Sequence, residues 1–329
     1  MDVLLTMAEA EAYRDAHHDA RRAASHDADR DTYGRPNVVA LGMFDGVHRG
    51  HRRLLEAAVS LAKGRGAASV AMTFDRHPEV VLRGGAGPSL LTTNEEKAAF
   101  MDEMGLDAVF FCPFDEVLSR MPPKVFAEQI VKGTLGAGTA VVGFNHTFGK
   151  GGVGDPGMLT ALGARLGFDV VCIGPETEGG EVISASLVRD ALLAGNIARA
   201  NAMLGRAYSL RGPVVKGDGR GAGLGFPTAN VAAPNVKAWP ADGVYACRCR
   251  TARGSWDGVA SVSTKPTFAG TDRTVEAFLC GFHGNLYGET LEVFFVERLR
   301  GIAVFDGPEA LARQIARDVA QACGRLQKV

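Results

Sequence analysis

From residue 37 to about residue 195 the chain repeats one pattern, a short apolar run followed by a stretch with helical spacing. NVVALGMF, ASVAMTF, DAVFFCPF, TAVVGFN and DVVCIGP supply the runs. HRRLLEAAVSLAKG, TNEEKAAFMDEMG, PPKVFAEQIVKGTL and GMLTALGARLG lie between them. Continuous apolar strands separated by helices have one economical solution, a parallel sheet with helices on both faces. Local signals agree with it. Thr93 followed by Glu96 reads as a capping box, and Gly66, Gly105, Gly136 and Gly167 stand where helices should stop.

After a helical connector, LVRDALLAGNIARANAMLG, the pattern changes to strands with turn signals and no helices between them: YSLRGPVVKG, GVYACRCR, WDGVASVS, VEAFLCGF and ETLEVFFVERL. Such a succession predicts a small antiparallel sheet or barrel. A final helix follows, with Asp306 as N-cap, Glu309 in its first turn and a stripe of Leu311, Ile315 and Val319. The expected division is therefore a lead-in over 1–36, an α/β domain over 37–199 and a barrel domain over 200–329. The stretch 10–36 has no clear apolar face and reads as a loose helix or a disordered lead-in. No internal repeat is present.

A formal net charge of −1 and a pI near 6.7 give no overall field for nucleic acid or an anionic membrane. The first residues carry only a short apolar patch, neither a signal peptide nor a span, so a soluble protein with no membrane partner is expected. Six scattered cysteines without a CxxC pair read as free thiols in a reducing cytosol. No motif sets an oligomeric state.

The densest motif is GMFDGVHRGH, residues 42–51, directly after the first apolar run. At the carboxyl end of a strand in an open α/β sheet, the next helix presents unpaired N–H groups suited to phosphate. Gly42, Gly46 and Gly50 would let backbone approach that phosphate. His48 and His51, three apart at the helix start, face one way and can donate hydrogen bonds to it. An incidental surface pair or half of a metal site are the other readings of two such histidines, and the zinc reading lacks a third ligand nearby in sequence.

FDGVHRGH resembles the HxGH signature of nucleotidyltransferases. The form GxFDGVHxGH is similar to the amino-terminal module of bacterial bifunctional riboflavin kinase/FAD synthetases. TFDRHP, LTTNEEK, PFDEVLS, VVGFNHTFGKGGVGD and ISASLVRDALLAGN follow in that family's order. The resemblance implies an ATP site formed by Gly42, Phe44, Asp45, Gly46 and Gly50, with Ser184, Ser186 and Arg189 as triphosphate contacts. It implies a flavin and metal neighbourhood at Asn145 and Phe148. His146 and Thr147 stand in place of an expected Phe-Arg or similar pair.

VVKGDGRGAGLGFPTANV, residues 214–231, has the composition of a loop that lends backbone N–H groups to phosphates. GFPTAN together with the strand pattern resembles the riboflavin kinase module. The resemblance implies kinase ATP contacts at Gly217, Gly219, Gly221 and Gly225, with Thr228 and Asn230 also holding Mg2+ on the nucleotide. It implies a general base at Glu276. Read from the residues alone, Glu276 is a solvent-facing strand residue alternating with Val275 and Ala277. Ser261, Ser263 and Lys265 depart from the family's NxGTRPTF, and Gly281, His283 and Asn285 from its acidic strand end. The expected function is a cytosolic enzyme that phosphorylates riboflavin to FMN and adenylylates FMN to FAD with Mg-ATP. The departures leave open an adenylyltransferase whose barrel only binds flavin, an enzyme acting on a different phosphate substrate, and a flavin-sensing protein without turnover.

Overall fold

A computed structural model describes residues 1–24, 36–85, 87–217, 220–267 and 270–327. Contacts divide the chain into two compact units, Met1–Ile183 and Ser184–Val329.

The first unit is built on six strands: β1 (Asp2–Leu4), β2 (Asn37–Leu41), β3 (Ser69–Phe74), β4 (Ala108–Cys112), β5 (Ala137–Gly143) and β6 (Asp169–Ile173). They pair in the order β1-β4-β3-β2-β5-β6, every pair parallel. Alternate residues of one strand feed different cores. Val39 and Leu41 join the core that contains Ile130 and Leu159, whereas Val38 and Ala40 join the one that contains Leu55 and Met101. Two covered faces explain why these strands read as unbroken apolar runs rather than alternating ones. Thr93 and Glu96 form both bonds of a capping box on the helix Asn94–Glu103, and Gly66 and Gly167 close their helices in the left-handed conformation.

Pairing order reverses between β2 and β5, and in an open α/β sheet the crevice beyond the carboxyl ends of such a strand pair is where ligands bind. Two motifs occupy it. The Gly42–His51 turn leaves β2, and the Asn145–Phe148 segment leaves β5.

The second unit is a closed antiparallel barrel of β9 (Tyr208–Val215), β10 (Ala229–Val231), β11 (Gly243–Thr251), β12 (Gly254–Thr267), β13 (Gly270–Leu279) and β14 (Thr290–Arg300), in the order β10-β13-β12-β11-β14-β9 with β9 pairing back to β10. The helix Pro308–Leu326 lays Val319, Ala322 and Leu326 on Val244, Ala246 and Val259. Its buried Asp318 pairs with Arg300 at 2.7 Å.

Four expectations change. The lead-in is part of the first unit: β1 adds an edge strand beside β4, and the helix Met7–Ala24 buries Ala10 and Tyr13. The division falls at Ile183/Ser184 rather than near residue 200. Its cause is visible in Asn201, whose side chain donates to the Phe295 carbonyl and accepts from the Tyr208 N–H, both at 2.8 Å, tying the helix Ile197–Leu204 to the barrel. The last helix begins at Pro308 with Gly307 as N-cap and no side-chain cap, so Asp306 does not fill that role. Proline suits a first helical position because its missing N–H has no partner there. The PTAN segment, read as part of a loop, contributes the strand β10. Residues 25–35 of the lead-in lie outside the described residues.

Candidate active sites

At the end of β2 the turn is wound through left-handed backbone at Phe44, Gly46 and Val47, with φ of 48°, 80° and 39°. Two of these residues carry side chains that disfavour such angles by about 1–2 kcal/mol each, so the turn needs bracing. Asp45 supplies it. Its carboxylate, 2% exposed, accepts from the Leu91 N–H at 2.9 Å and the Thr92 N–H at 3.1 Å, while Thr92 Oγ1 accepts from the Gly46 N–H at 2.9 Å. Asp45 is thus committed to backbone, and Phe44 is buried in the sheet-face core. Both brace the turn, and Phe44 also lines the cavity beyond the end of β2.

Lys97 completes the brace. Burial pushes its ammonium below the usual lysine range, and Asp45 and Asp75 act in the opposite direction, favouring the charged form. Replacing one partner of a buried charge cluster leaves the others uncompensated, a loss of about 3–5 kcal/mol. Lys97→Met is therefore expected to lower hydrogen-exchange protection of Asn94–Glu103 and β2 by at least about a hundredfold, with the barrel strands unchanged.

His48 is the N-cap of the helix Arg49–Arg65, its Nδ1 accepting from the His51 N–H at 3.3 Å. N-cap and third helical positions share one side of the first turn, and the two rings stack with centroids 3.6 Å apart at 16°. His51 stands edge-on to Phe44 at 5.4 Å. The glycines serve this packing. A Cβ on Gly42 would meet the Phe44 ring at 2.9 Å, and one on Gly50 the His48 ring at 3.3 Å. Arg49, between the histidines, pairs with Glu176 at 2.6 Å and with Glu178, holding the short hairpin of β7 (Thr177–Glu178) and β8 (Glu181–Val182) beside the helix start.

His51 opens into a cavity of about 480 Å³ at the ends of β2 and β5. Phe74, Phe114, Phe126 and Phe148 wall it, and Asn145 and His146 are among its polar groups. His146 lies parallel to Phe148, 5.8 Å between centroids at 18°. Burial pushes its imidazole down to about 4, which keeps the ring neutral at physiological pH.

In the second unit the register of β10 against β13 sets Asn230 directly opposite Glu276, and β12 sets Ser261 on the other side of Glu276. One polar row thus crosses three strands, on the face opposite buried Val275 and Ala277. Glycines make room here too. A Cβ on Gly217 would fall 2.2 Å from Asn230 Nδ2, one on Gly221 would fall 2.4 Å from the Phe226 carbonyl oxygen, and Gly225 has φ of 83°. Gly219 lies outside the described residues. Thr228 lines a cavity of about 280 Å³ with Ala277, Leu279, His283 and Asn285.

Ser184 caps the helix Ala185–Leu193, its Oγ accepting from the Leu187 N–H at 3.3 Å. Ser186 is exposed in the first turn and Arg189 half-buried in the next.

The family model for FAD synthetase matches residues 31–187, and that for riboflavin kinase matches residues 204–326. A bifunctional riboflavin kinase/FMN adenylyltransferase of Bacillus subtilis (strain 168) is 35% identical over 291 residues, spanning 87% of this chain and 91% of its own. The chain belongs to the bifunctional riboflavin kinase/FMN adenylyltransferase family. The Escherichia coli (strain K12) member is 34% identical over 282 residues, covering 85% of this chain and 90% of its own. A crystal structure described as a macrolide-efflux protein from Streptococcus pneumoniae superposes with a TM-score of 0.80 at 29% identity, over 86% of this chain and 92% of that one. Among the described residues of this family member no helix is long and apolar enough to cross a membrane.

Departures from the family pattern have local causes in part. Gly281 has φ of 73°, where an acidic side chain would be strained, and Asn285 Oδ1 accepts from the Tyr287 N–H at 2.8 Å to make its own turn. Ser263 Oγ is 3.3 Å from Thr274 Oγ1 across the β12–β13 pair. The residues that sequence reasoning missed, Thr92, Lys97, Glu176 and Glu178, act through partners dozens of positions away, and no local spacing announces them.

Proposed function

We propose that the chain makes FAD from riboflavin in two ATP-dependent steps, one in each unit. In the barrel a riboflavin hydroxyl takes the γ-phosphoryl group of ATP, giving FMN and ADP. In the α/β unit a phosphate oxygen of FMN attacks the α-phosphorus of a second ATP, giving FAD and pyrophosphate.

The observation that carries this reading is the stacked His48–His51 pair on the first turn of a helix, with His51 opening into a cavity at the sheet's switch point. A helix start carries partial positive charge and unpaired N–H groups, so it favours phosphate. FMN already bears its nucleophilic oxygen, and no enzyme nucleophile is needed. The site's work is to align that oxygen with phosphorus and to donate hydrogen bonds to charge spreading onto the departing pyrophosphate. His48 and His51 do this from the first turn of the helix.

In the barrel Glu276 accepts the proton of the attacking hydroxyl. The glycine loop, Gly217, Gly219, Gly221 and Gly225, offers backbone donors to the phosphates. Hydroxyl and amide oxygens at Thr228 and Asn230 suit a hard divalent cation, and Mg2+ suits a donor set completed by nucleotide phosphates. Bound there, Mg2+ would neutralise charge on the β- and γ-phosphates. Six free cysteines suit a reducing cytosol.

Purified protein incubated with Mg-ATP and either riboflavin or FMN, followed by chromatography of the flavins, tests each half separately. Riboflavin is expected to yield FMN and then FAD, and FMN to yield FAD with pyrophosphate; chelating the metal is expected to stop both. Flavin binding without ATP consumption overturns the proposal, and FAD formed from FMN alone leaves the barrel without its kinase role.

A further inference from the structure

Among the described residues the cysteines form two pairs in sulfur contact, both in the barrel unit. Cys247 and Cys249 hold their sulfurs 3.8 Å apart, but both are buried and they lie two positions apart on β11, closed to any reagent in water. The second pair is different. Cys280, directly after β13, and Cys323, on the terminal helix, hold their sulfurs 3.9 Å apart across 43 positions of sequence, and both are only partly buried. A disulfide needs about 2 Å between its sulfurs, so side-chain movements of about that size close the gap.

A bond here would act on the wall of the barrel's cavity. Leu279 and the turn from Phe282 to Tyr287 line the same cavity as Thr228, and Cys280 stands between them. The Cys280 N–H is fixed to the Asp257 carbonyl at 2.8 Å, so a pull on its side chain is passed forward. Next in line are Gly281, left-handed with φ of 73°, and Phe282, edge-on to Trp256 at 5.1 Å between centroids.

We infer that Cys280 and Cys323 are a modification site for hydroperoxides, whose disulfide ties the cavity-lining turn to the terminal helix and slows riboflavin phosphorylation. Formation of the bond is independent of what the barrel does; the slowing rests on its reading as the kinase. In a reducing cytosol the pair stays as thiols until peroxide arrives. Burial, with Cys323 beside it, pushes the Cys280 thiol up to about 12, so it keeps its proton at neutral pH and Cys323 reacts first. The Cys323 sulfur bonds to one peroxide oxygen as the O–O bond breaks, giving a sulfenic acid and one water. The Cys280 sulfur then displaces that oxygen, which leaves with the Cys280 proton as a second water. Two thiols are oxidised by two electrons and one peroxide is reduced.

The test is to treat the reduced full-length protein with hydrogen peroxide, remove the excess with catalase, and map peptides by mass spectrometry without reductant. A peptide joining Cys280 to Cys323 is expected. Displacing groups around reacting atoms by about 1 Å can cost a hundredfold, and riboflavin phosphorylation is expected to fall about tenfold. Adenylylation of added FMN should be unchanged, and dithiothreitol should restore the lost rate. C323S is expected to keep the reduced rate within about twofold and to lose the response to peroxide; if it does not fold, C323A takes its place. Folded wild-type protein that yields no joined peptide overturns the inference, and so does a joined peptide with an unchanged rate or a loss that persists in C323S. Reduced wild-type protein that makes no FMN overturns the kinase reading, and the peptide map still decides whether the bond forms.

Discussion

With His51 replaced by alanine, FAD formation from FMN is expected to fall by about 10²–10⁴, while phosphorylation of riboflavin stays within about twofold of wild type. The size follows from what the ring does. In the proposed reaction its donor meets charge that accumulates only as the bond to pyrophosphate breaks, and a contact made chiefly in the transition state is lost from kcat rather than from KM. Alanine also removes the ring stacked on His48 at 3.6 Å, so one face of the His48 ring loses its packing. H51N separates these effects: an amide retains a donor near the helix start and should recover part of the rate, whereas a purely structural role would leave both variants alike. Chromatography of the flavins reads both steps from one incubation. Equal loss of the two activities in a folded H51A would refute the assignment of the motif to one unit's chemistry.

Much of this architecture was legible because periodicity reports burial. NVVAL is apolar throughout since β2 is covered on both faces, and the barrel strand β9 alternates because only one of its faces is inside: Tyr208, Leu210 and Val214 are buried, with exposed or half-buried residues between. Where spacing and tertiary demand coincide, as at Thr93–Glu96 or His48–His51, the local reading and the structure agree. Motif residues were harder to sort by role. Phe44 and Asp45 sit inside the signature, yet one fills the core and the other binds the backbone of Leu91 and Thr92, because a left-handed turn needs support before it can hold a ligand. Gly42 and Gly50 were expected to open backbone to phosphate; the absence of a Cβ at each also leaves room for rings of the same motif, and Gly42 lines the cavity. Short strands escaped for a different reason. β1 and β10 have three residues each, too few to show a period, and exist only because a neighbour, β4 or β13, offers an edge. The Asn230–Glu276 pairing likewise depends on register, which no single segment carries.

That register makes the second large effect specific. Glu276→Gln is expected to lower riboflavin phosphorylation by about 10²–10⁴ in kcat with little change in the KM for riboflavin, and to leave adenylylation of added FMN intact. Glutamine keeps the size and the hydrogen-bonding reach of glutamate but cannot take the proton that must leave the attacking hydroxyl. A solvent-facing strand glutamate with no part in the reaction would tolerate the same change, since exposed substitutions of this kind move stability by no more than about 0.5 kcal/mol. The two units make a sharper test together than apart. FMN supplied from outside bypasses the lesion in E276Q and should restore FAD, whereas in H51A it should accumulate unused. Mixed in one tube with riboflavin and Mg-ATP, the two variants should complement one another, because E276Q retains the step that H51A lacks and FMN released by one is substrate for the other. Failure of the mixture to make FAD, with each variant folded and each retaining its own step, would mean that FMN passes between the units of a single chain without reaching solution.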